Sequence, residues 1–174
     1  MNTKALHKLS YGLYVVTSKK DDRLNGQIAN AVIQVTSEPP TIAASINHNN
    51  LTWEYIKSSR VFAVSVLCED TPMTFIGRFG FRSGRELNKL EGVDYRTGIT
   101  GAPIVLENAA AFMEVRVTQE IDVGTHTIFI GELVDADIIS DKTCLTYEHY
   151  HQVKGGKTPK AAATYIAETK DEQR

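Results

Sequence analysis

The sequence is poor in the residues that build inorganic centres. Its two cysteines, Cys68 and Cys144, stand far apart without a Cys-x-x-Cys or a Cys/His cluster, so neither a zinc nor an iron-sulfur site is expected. Each thiol reads instead as a small buried or partly buried side chain. Long apolar runs are missing too. No stretch approaches the ~20 apolar residues of a membrane span, and Met1 to Ser18 lacks the apolar core and small-residue cleavage site of a secretory leader. A cytoplasmic protein with no membrane partner is the expectation. Nor does charge of one sign accumulate: 19 Lys and Arg are dispersed among 21 Asp and Glu, for a net charge of -2. With no basic stripe to displace counterions, nucleic acid is not an expected partner. The chain also lacks GxxxxGK[ST] and GxGxxG, which excludes a P-loop and a classical dinucleotide fold. No Ser/His/Asp or Cys/His arrangement supplies a recognisable nucleophile, so covalent hydrolysis is not indicated.

What is present is a series of short runs rich in β-branched and aromatic residues. They cover Tyr11 to Thr17, Ile28 to Thr36, Thr41 to Ile46, Val61 to Leu67, Ala111 to Ile121 and Thr127 to Ile139, with turn chemistry in Ser18 to Arg23. Only short helical pieces separate them, which predicts a mainly β fold with short helices, a barrel rather than a βαβ sheet. Thr3 is the expected N-cap of an opening helix that lids one end of the core through Ala5, Leu6 and Leu9. Asn50 or Thr52 caps a second helix over Thr52 to Ser58, and Thr71-Pro72 opens a third, with the hydroxyl as cap and proline at the first helical position. Residues 77–92 are too rich in glycine and charge for a core element and read as a long functional loop with a brief helix. At 174 residues the chain fits one domain, taken as residues 1–150, with residues 151–174 an extended C-terminal arm that frays at its end.

Four clusters carry possible chemistry. In Asn25 to Ser37, polar Asn30, Gln34 and Thr36 interrupt an apolar strand pair while Ala29 and Ala31 permit close approach. A flat polar ring system fits such a surface, and so does an edge strand with an ordinary wet face. In Ser45-Ile-Asn-His-Asn-Asn-Leu-Thr52, hydroxyls, amides and free N–H groups at a helix start make an anion site; a capping loop explains one or two of these residues and leaves several over. Arg82-Ser83-Gly84-Arg85, with Lys89 beyond, can close over the same phosphate or form a solvated loop. His126, beside Gly124 and Thr125 at a strand start, can supply a proton or hydrogen bond near neutral pH or be purely structural.

In chain order, SYGLYVVTS, NGQIANAVIQVTSEPPTIAASIN, NNLTWEYI, FGFRSGRELNK and HTIFIGE resemble the flavin reductase-like, FMN-binding split-barrel family. The branch is the one with flavoredoxin and the flavin domain of high-molecular-weight rubredoxin, and the resemblance runs from about Leu9 to Ile166. It implies a Greek-key split β-barrel and a homodimer with FMN near the interface, FAD being the alternative. It also implies NAD(P)H as co-substrate in a flavin reductase-type oxidoreductase, or else an FMN electron carrier reduced by a protein donor. In proteins similar to this one, the segment matching Asn30, Ala31, Val32, Gln34, Val35 and Thr36 borders the isoalloxazine, and Gln27 counts with the cofactor-binding residues. The positions matching Ser45, Asn47, Asn50, Leu51 and Thr52 hold phosphate or ribityl groups. Phe81, Arg82, Ser83, Gly84 and Lys89 complete the phosphate site, and His126 faces the side where a nicotinamide stacks. Two departures stand out. The family's histidine often follows Gly-Asp, whereas Thr125 precedes it here. Relatives with a rubredoxin domain continue past a segment like KGGKTPKAAATYI into a Cys-rich iron site, whereas this chain runs into AETKDEQR, so a rubredoxin-like or other redox partner is expected as a separate protein.

Overall fold

The computed structural model describes residues 1–166; the end of the arm, expected from sequence to fray, lies outside the described residues. The chain first forms a tight hairpin, β1 (Tyr14–Lys20) and β2 (Arg23–Ala29), paired from Tyr14↔Ala29 to Lys20↔Arg23. Sequence reading stops the strand at Thr17, yet pairing continues to Lys20. The turn needs only Asp21-Asp22, and Asp21 takes the left-handed conformation (φ 52°) that aspartate tolerates. Ser18 stays inside because its hydroxyl donates to the Val61 carbonyl at 2.7 Å.

The run expected as one strand over Ile28 to Thr36 is two. β2 ends at Ala29 and β3 covers Val32–Ser37, with a tight turn between them in which the Val32 amide donates to the Asn30 carbonyl (3.1 Å). Next come β4 (Pro40–Asn47), α1 (Leu51–Ser59), β5 (Val61–Leu67) and α2 (Met73–Gly80). A small hairpin follows, β6 (Tyr95–Thr97) and β7 (Pro103–Val105), then the long ribbon β8 (Ala109–Asp122) and β9 (His126–Ile138), and α3 (Tyr147–Gln152). The main sheet has seven strands in the order β2-β1-β5-β8-β9-β4-β3. Its two edges, β2 and β3, are consecutive in sequence but not paired with each other. The sheet therefore curls back on itself at Asn30-Ala31 without closing, a Greek-key split barrel. Register shifts at Glu114/Val115 and Val117/Gln119 bend the β8–β9 ribbon around the core.

Alternating positions of these strands fill the barrel with Val16, Ile46, Phe62, Val64, Val115 and Phe129, and Ile56 of α1 closes it. A second cluster joins Leu13, Val15 and Leu67 to Phe75, Ile76 and Phe79 of α2 and to Leu145 and Tyr150. Burying each Leu or Phe side chain contributes about 1.5–3 kcal/mol. No helix of the described residues is long and apolar enough to cross a membrane.

Several local expectations are corrected. The opening element is a 3-10 helix, Thr3–Lys8, capped by Asn2 rather than Thr3, and it buries none of its residues, so it does not lid the core. At α2 the Thr71 hydroxyl donates to the Cys68 carbonyl (2.6 Å) and caps nothing, and Pro72 is the cap residue, so the helix starts one residue later than expected. Residues 77–92 begin inside α2 and continue as turns. Cys68 is buried, Cys144 is exposed, and the two face each other across an isolated antiparallel bridge.

Candidate functional site

A cavity of about 290 Å³ opens where β2, β4, the start of α1 and the end of α2 converge. That is close to the lower end of the ~300–1,000 Å³ of small-molecule pockets. Its floor is built by α1. The Trp53 indole N–H donates to the Thr127 hydroxyl (2.8 Å), and at the other end Arg60 turns left-handed (φ 61°) while its amide donates to the Ile56 carbonyl (2.8 Å). So anchored, the helix presents its N-terminus to the cavity through Asn50, Leu51 and Thr52. Asn50 holds the cap position but makes no side-chain cap bond. The Asn47 amide oxygen instead accepts from the Asn49 amide (2.9 Å), fixing the preceding turn. The first N–H groups of α1, where the helix dipole is positive, are thus left to a ligand.

The opposite wall is the turn after α2. Phe81, Arg82, Ser83 and Gly84 all line the cavity. The turn is locked to β2 by close packing: a β-carbon at Gly84 would stand 2.0 Å from the Asn25 amide oxygen. Asn25 in turn donates to the Thr52 hydroxyl (2.9 Å). The two polar segments are therefore joined through one buried asparagine, itself part of the wall. Lys89 reaches in from behind with only 5% of its surface exposed. Its ammonium donates to the Gly26 and Phe79 carbonyls, 3.0 Å each, and among the described residues no carboxylate pairs with it. Burial lowers its pKa from 10.5 to about 8. Arg85, placed by sequence beside the phosphate, is diverted to an ion pair with Glu54, whereas Arg82 is exposed at the rim.

Of the other residues singled out from sequence, Gln27, Asn30, Ser45 and Asn47 also line the cavity. The Gln27 side-chain oxygen is buried and unpartnered. Ala31, Val32, Gln34, Val35 and Thr36 do not lie on the cavity wall. Val32 packs into the barrel core, and Gln34, Val35 and Thr36 lie exposed along edge strand β3. There Gln34 donates to the Thr36 carbonyl (3.2 Å) and Thr36 to that of Pro39 (2.6 Å). His126, at the first position of β9, is buried and does not line the cavity, which it reaches only through Ala161 of the arm. Its Nε2 lies 3.2 Å from the Ala161 carbonyl and its Nδ1 2.8 Å from the Thr125 hydroxyl. A carbonyl only accepts, so Nε2 carries the proton and Nδ1 accepts from Thr125. Burial, and to a smaller extent His48, depress its pKa against the raising effect of the Ala161 bond. The imidazole is neutral at pH 7.

Sequence reasoning missed the remaining wall. Tyr147 and Tyr150 of α3, with Lys157, Pro159 and Ala161 to Ala163 of the arm, lie over the cavity, and Asn30 pins the arm by donating to the Thr164 hydroxyl (2.8 Å). The signals were there: two tyrosines at helical i, i+3 spacing and three consecutive alanines small enough to lie flat on another surface.

Residues 6–155 match the flavin reductase like domain family. The chain belongs to that family. A ferric-chelate reductase (NAD(P)H) of Archaeoglobus fulgidus is 52% identical over 95% of this chain and 98% of that one. A high molecular weight rubredoxin of Moorella thermoacetica is 50% identical, covering 95% of this chain and 72% of that protein. Among solved structures, an FMN-binding protein from Thermus thermophilus with bound p-hydroxybenzaldehyde superposes with a TM-score of 0.70 at 26% identity, over 76% of this chain and 74% of that one.

Proposed function

We propose that this member of the flavin reductase-like family is a flavin-dependent oxidoreductase. It binds FMN in the cavity at the start of α1, takes electrons from NAD(P)H and passes them to a small acceptor or a redox protein. The observation that carries the reading is Lys89, a buried ammonium with no carboxylate among the described residues, set in the same cavity as the uncapped N-terminus of α1. A buried cation without a counter-ion is costly, and a dianionic phosphate supplies the missing charge where backbone donors also face it. The residues fit the group in two further respects. The Gly84 turn leaves no room for a side chain against Asn25, so backbone, not bulk, meets the ligand. The orphaned Gln27 oxygen offers an acceptor to a ring N–H.

Bound there, the flavin supplies the two-electron chemistry and the chain supplies position and electrostatics. Asn50, Leu51, Thr52, Ser83, Gly84, Arg82 and Lys89 hold the phosphate end, with Ser45 and Asn47 toward the ribityl chain. Gln27 and Asn30 lie toward the ring, with Phe81 at the rim. His126 positions a nicotinamide by hydrogen bonding once the arm releases its Nε2 from the Ala161 carbonyl. Ala31 and the exposed β3 residues Gln34, Val35 and Thr36 border the ring in a homodimer in which Ile33 and Val35 (62% and 48% exposed) are covered by a second copy. Cytoplasmic placement, where reduced nicotinamides are available, completes the reading.

One observation favours a second reading. The arm already engages the His126 ring through Ala161, on the side a nicotinamide would use, which suits an FMN electron carrier reduced by a protein donor such as a rubredoxin. Anaerobic mixing of the FMN-loaded protein with NADH, NADPH or a reduced rubredoxin separates the two. Bleaching of the flavin band by a nicotinamide supports the reductase; bleaching by the protein donor alone supports the carrier. A protein that takes up no FMN removes both.

A further inference from the structure

β5 ends by pairing with the segment that leads into α3. The Leu145 amide donates to the Leu67 carbonyl (2.7 Å) and the Glu69 amide to the Thr143 carbonyl (2.8 Å). Between these two bonds Cys68 and Cys144 stand directly opposite one another in an antiparallel bridge. A pair flanked in this way is a non-hydrogen-bonded pair. In such a pair the α-carbons approach to about 4.5 Å and both side chains leave the same face of the ladder. That separation lies within the ~4.4–6.8 Å a disulfide spans. The two thiols differ in access. Cys144 is exposed, whereas Cys68 is 1% exposed, its sulfur 3.8 Å from the Ser140 hydroxyl.

We propose that Cys68 and Cys144 form a reversible intramolecular disulfide, a redox modification site separate from the cavity. The oxidant is a low-molecular-weight disulfide of the glutathione class. The Cys144 thiolate attacks one of its sulfurs, the small disulfide bond breaks, and one small thiol departs, leaving a mixed disulfide on Cys144. The Cys68 thiol gives its proton to water and attacks the Cys144 sulfur, expelling the second small thiol. Two protein thiols are oxidised, one small disulfide is reduced to two thiols, and a small dithiol reverses the exchange. The accessible cysteine is the entry point and the buried one resolves the adduct, the order that the difference in access imposes. The bond ties β5 to the strand segment just before Thr146, the N-cap of α3, and α3 carries Tyr147 and Tyr150 of the cavity wall. Oxidation therefore straps that wall to the barrel.

The test is incubation of the whole protein with oxidised glutathione, acid quench, alkylation and mass analysis. The wild type is expected to lose two hydrogens, carry no glutathione, resist alkylation at both positions and yield a linked peptide pair containing Cys68 and Cys144 that dithiothreitol separates. Cys68→Ser is expected to trap glutathione on Cys144, and Cys144→Ser, a change at an exposed site, to form neither adduct nor link. A wild-type protein that accumulates a stable glutathione adduct, links Cys144 between two chains, or keeps both thiols alkylatable overturns the proposal. Glutathione bound to Cys68 in Cys144→Ser overturns the assigned order.

Discussion

Gly84 lies so close to Asn25 that a single added β-carbon would stand 2.0 Å from its amide oxygen, and Asn25 is the residue that reaches across to Thr52. Gly84→Ala must therefore push Asn25 off Thr52 or lift the turn away from α1. Either costs about 1 kcal/mol, the worth of one hydrogen bond. FMN affinity is expected to fall roughly five- to tenfold, read by titrating flavin fluorescence, with a Tm drop of about 2–4 °C. Unchanged affinity would detach this turn from the ligand site.

Lys89 ties binding to pH. Burial depresses its pKa to about 8 in the folded protein against 10.5 when exposed. Between those values the unfolded chain holds the extra proton, so this residue's contribution to stability improves as pH rises through 8 toward 10.5, by on the order of 3 kcal/mol across the whole window. A bound phosphate works in the opposite sense, since it favours the charged amine. FMN affinity is expected to decline above about pH 8, by at most roughly tenfold per unit. Lys89→Met should weaken binding and flatten that decline; a decline that persists in the variant would assign it elsewhere.

The arm is tied to the barrel by the bonds of Asn30 to Thr164 and His126 to Ala161, and to α3 by Tyr147 and Tyr150, which bond Thr158, Thr164 and Lys157; each bond contributes about 0.5–1.5 kcal/mol. Lys157 and Lys160 are exposed within it. Asn30→Ala or His126→Ala should speed tryptic cleavage there several-fold while the barrel stays intact. Burial keeps His126 below its usual pKa against the raising effect of the Ala161 bond, so its net contribution is complete above about 6.5 and is lost as pH falls. Cleavage should accordingly quicken in mild acid in the native sequence and not in His126→Ala.

Glu114 is fully buried in the β8–β9 ribbon. Its carboxylate accepts from the Ile99 and Thr100 amides (2.9 and 3.0 Å) and from the Thr100 hydroxyl (2.5 Å). Glu114→Ala strands those donors and leaves a void, at roughly 2–4 kcal/mol. Since 1 kcal/mol shifts Tm by about 2–4 °C in a chain of this size, a drop of about 4–16 °C is expected by calorimetry. FMN affinity per folded molecule should not change, because Glu114 does not line the cavity.

The sheet was largely readable because its strands are dense in β-branched residues and bounded by turn chemistry; β5 matches its expected span residue for residue. Turns and caps were less so. The two-residue Asp21-Asp22 reversal uses a left-handed Asp21, and Asn30 at the break meets the far Thr164, neither visible in local composition. The part of the cavity wall at the start of α1 and in the turn after α2 was legible because helix starts and basic loops announce themselves. Tyr147, Tyr150 and the alanines of the arm were not, since a small-residue run has no chemistry until its landing surface is known. The pairing of Cys68 with Cys144 was hidden for the same reason: sequence distance says nothing about a bridge made by a chain that returns.

The sheet stops short of joining its own two borders, and Asn30, at the chain reversal between them, also belongs to the cavity wall. A cylinder left unseamed along one line can flex there without rupturing any rung of its ladders. Parting of those borders is thereby uncoupled from unfolding: the slit can widen while the stave-like interior strands keep every bond they have.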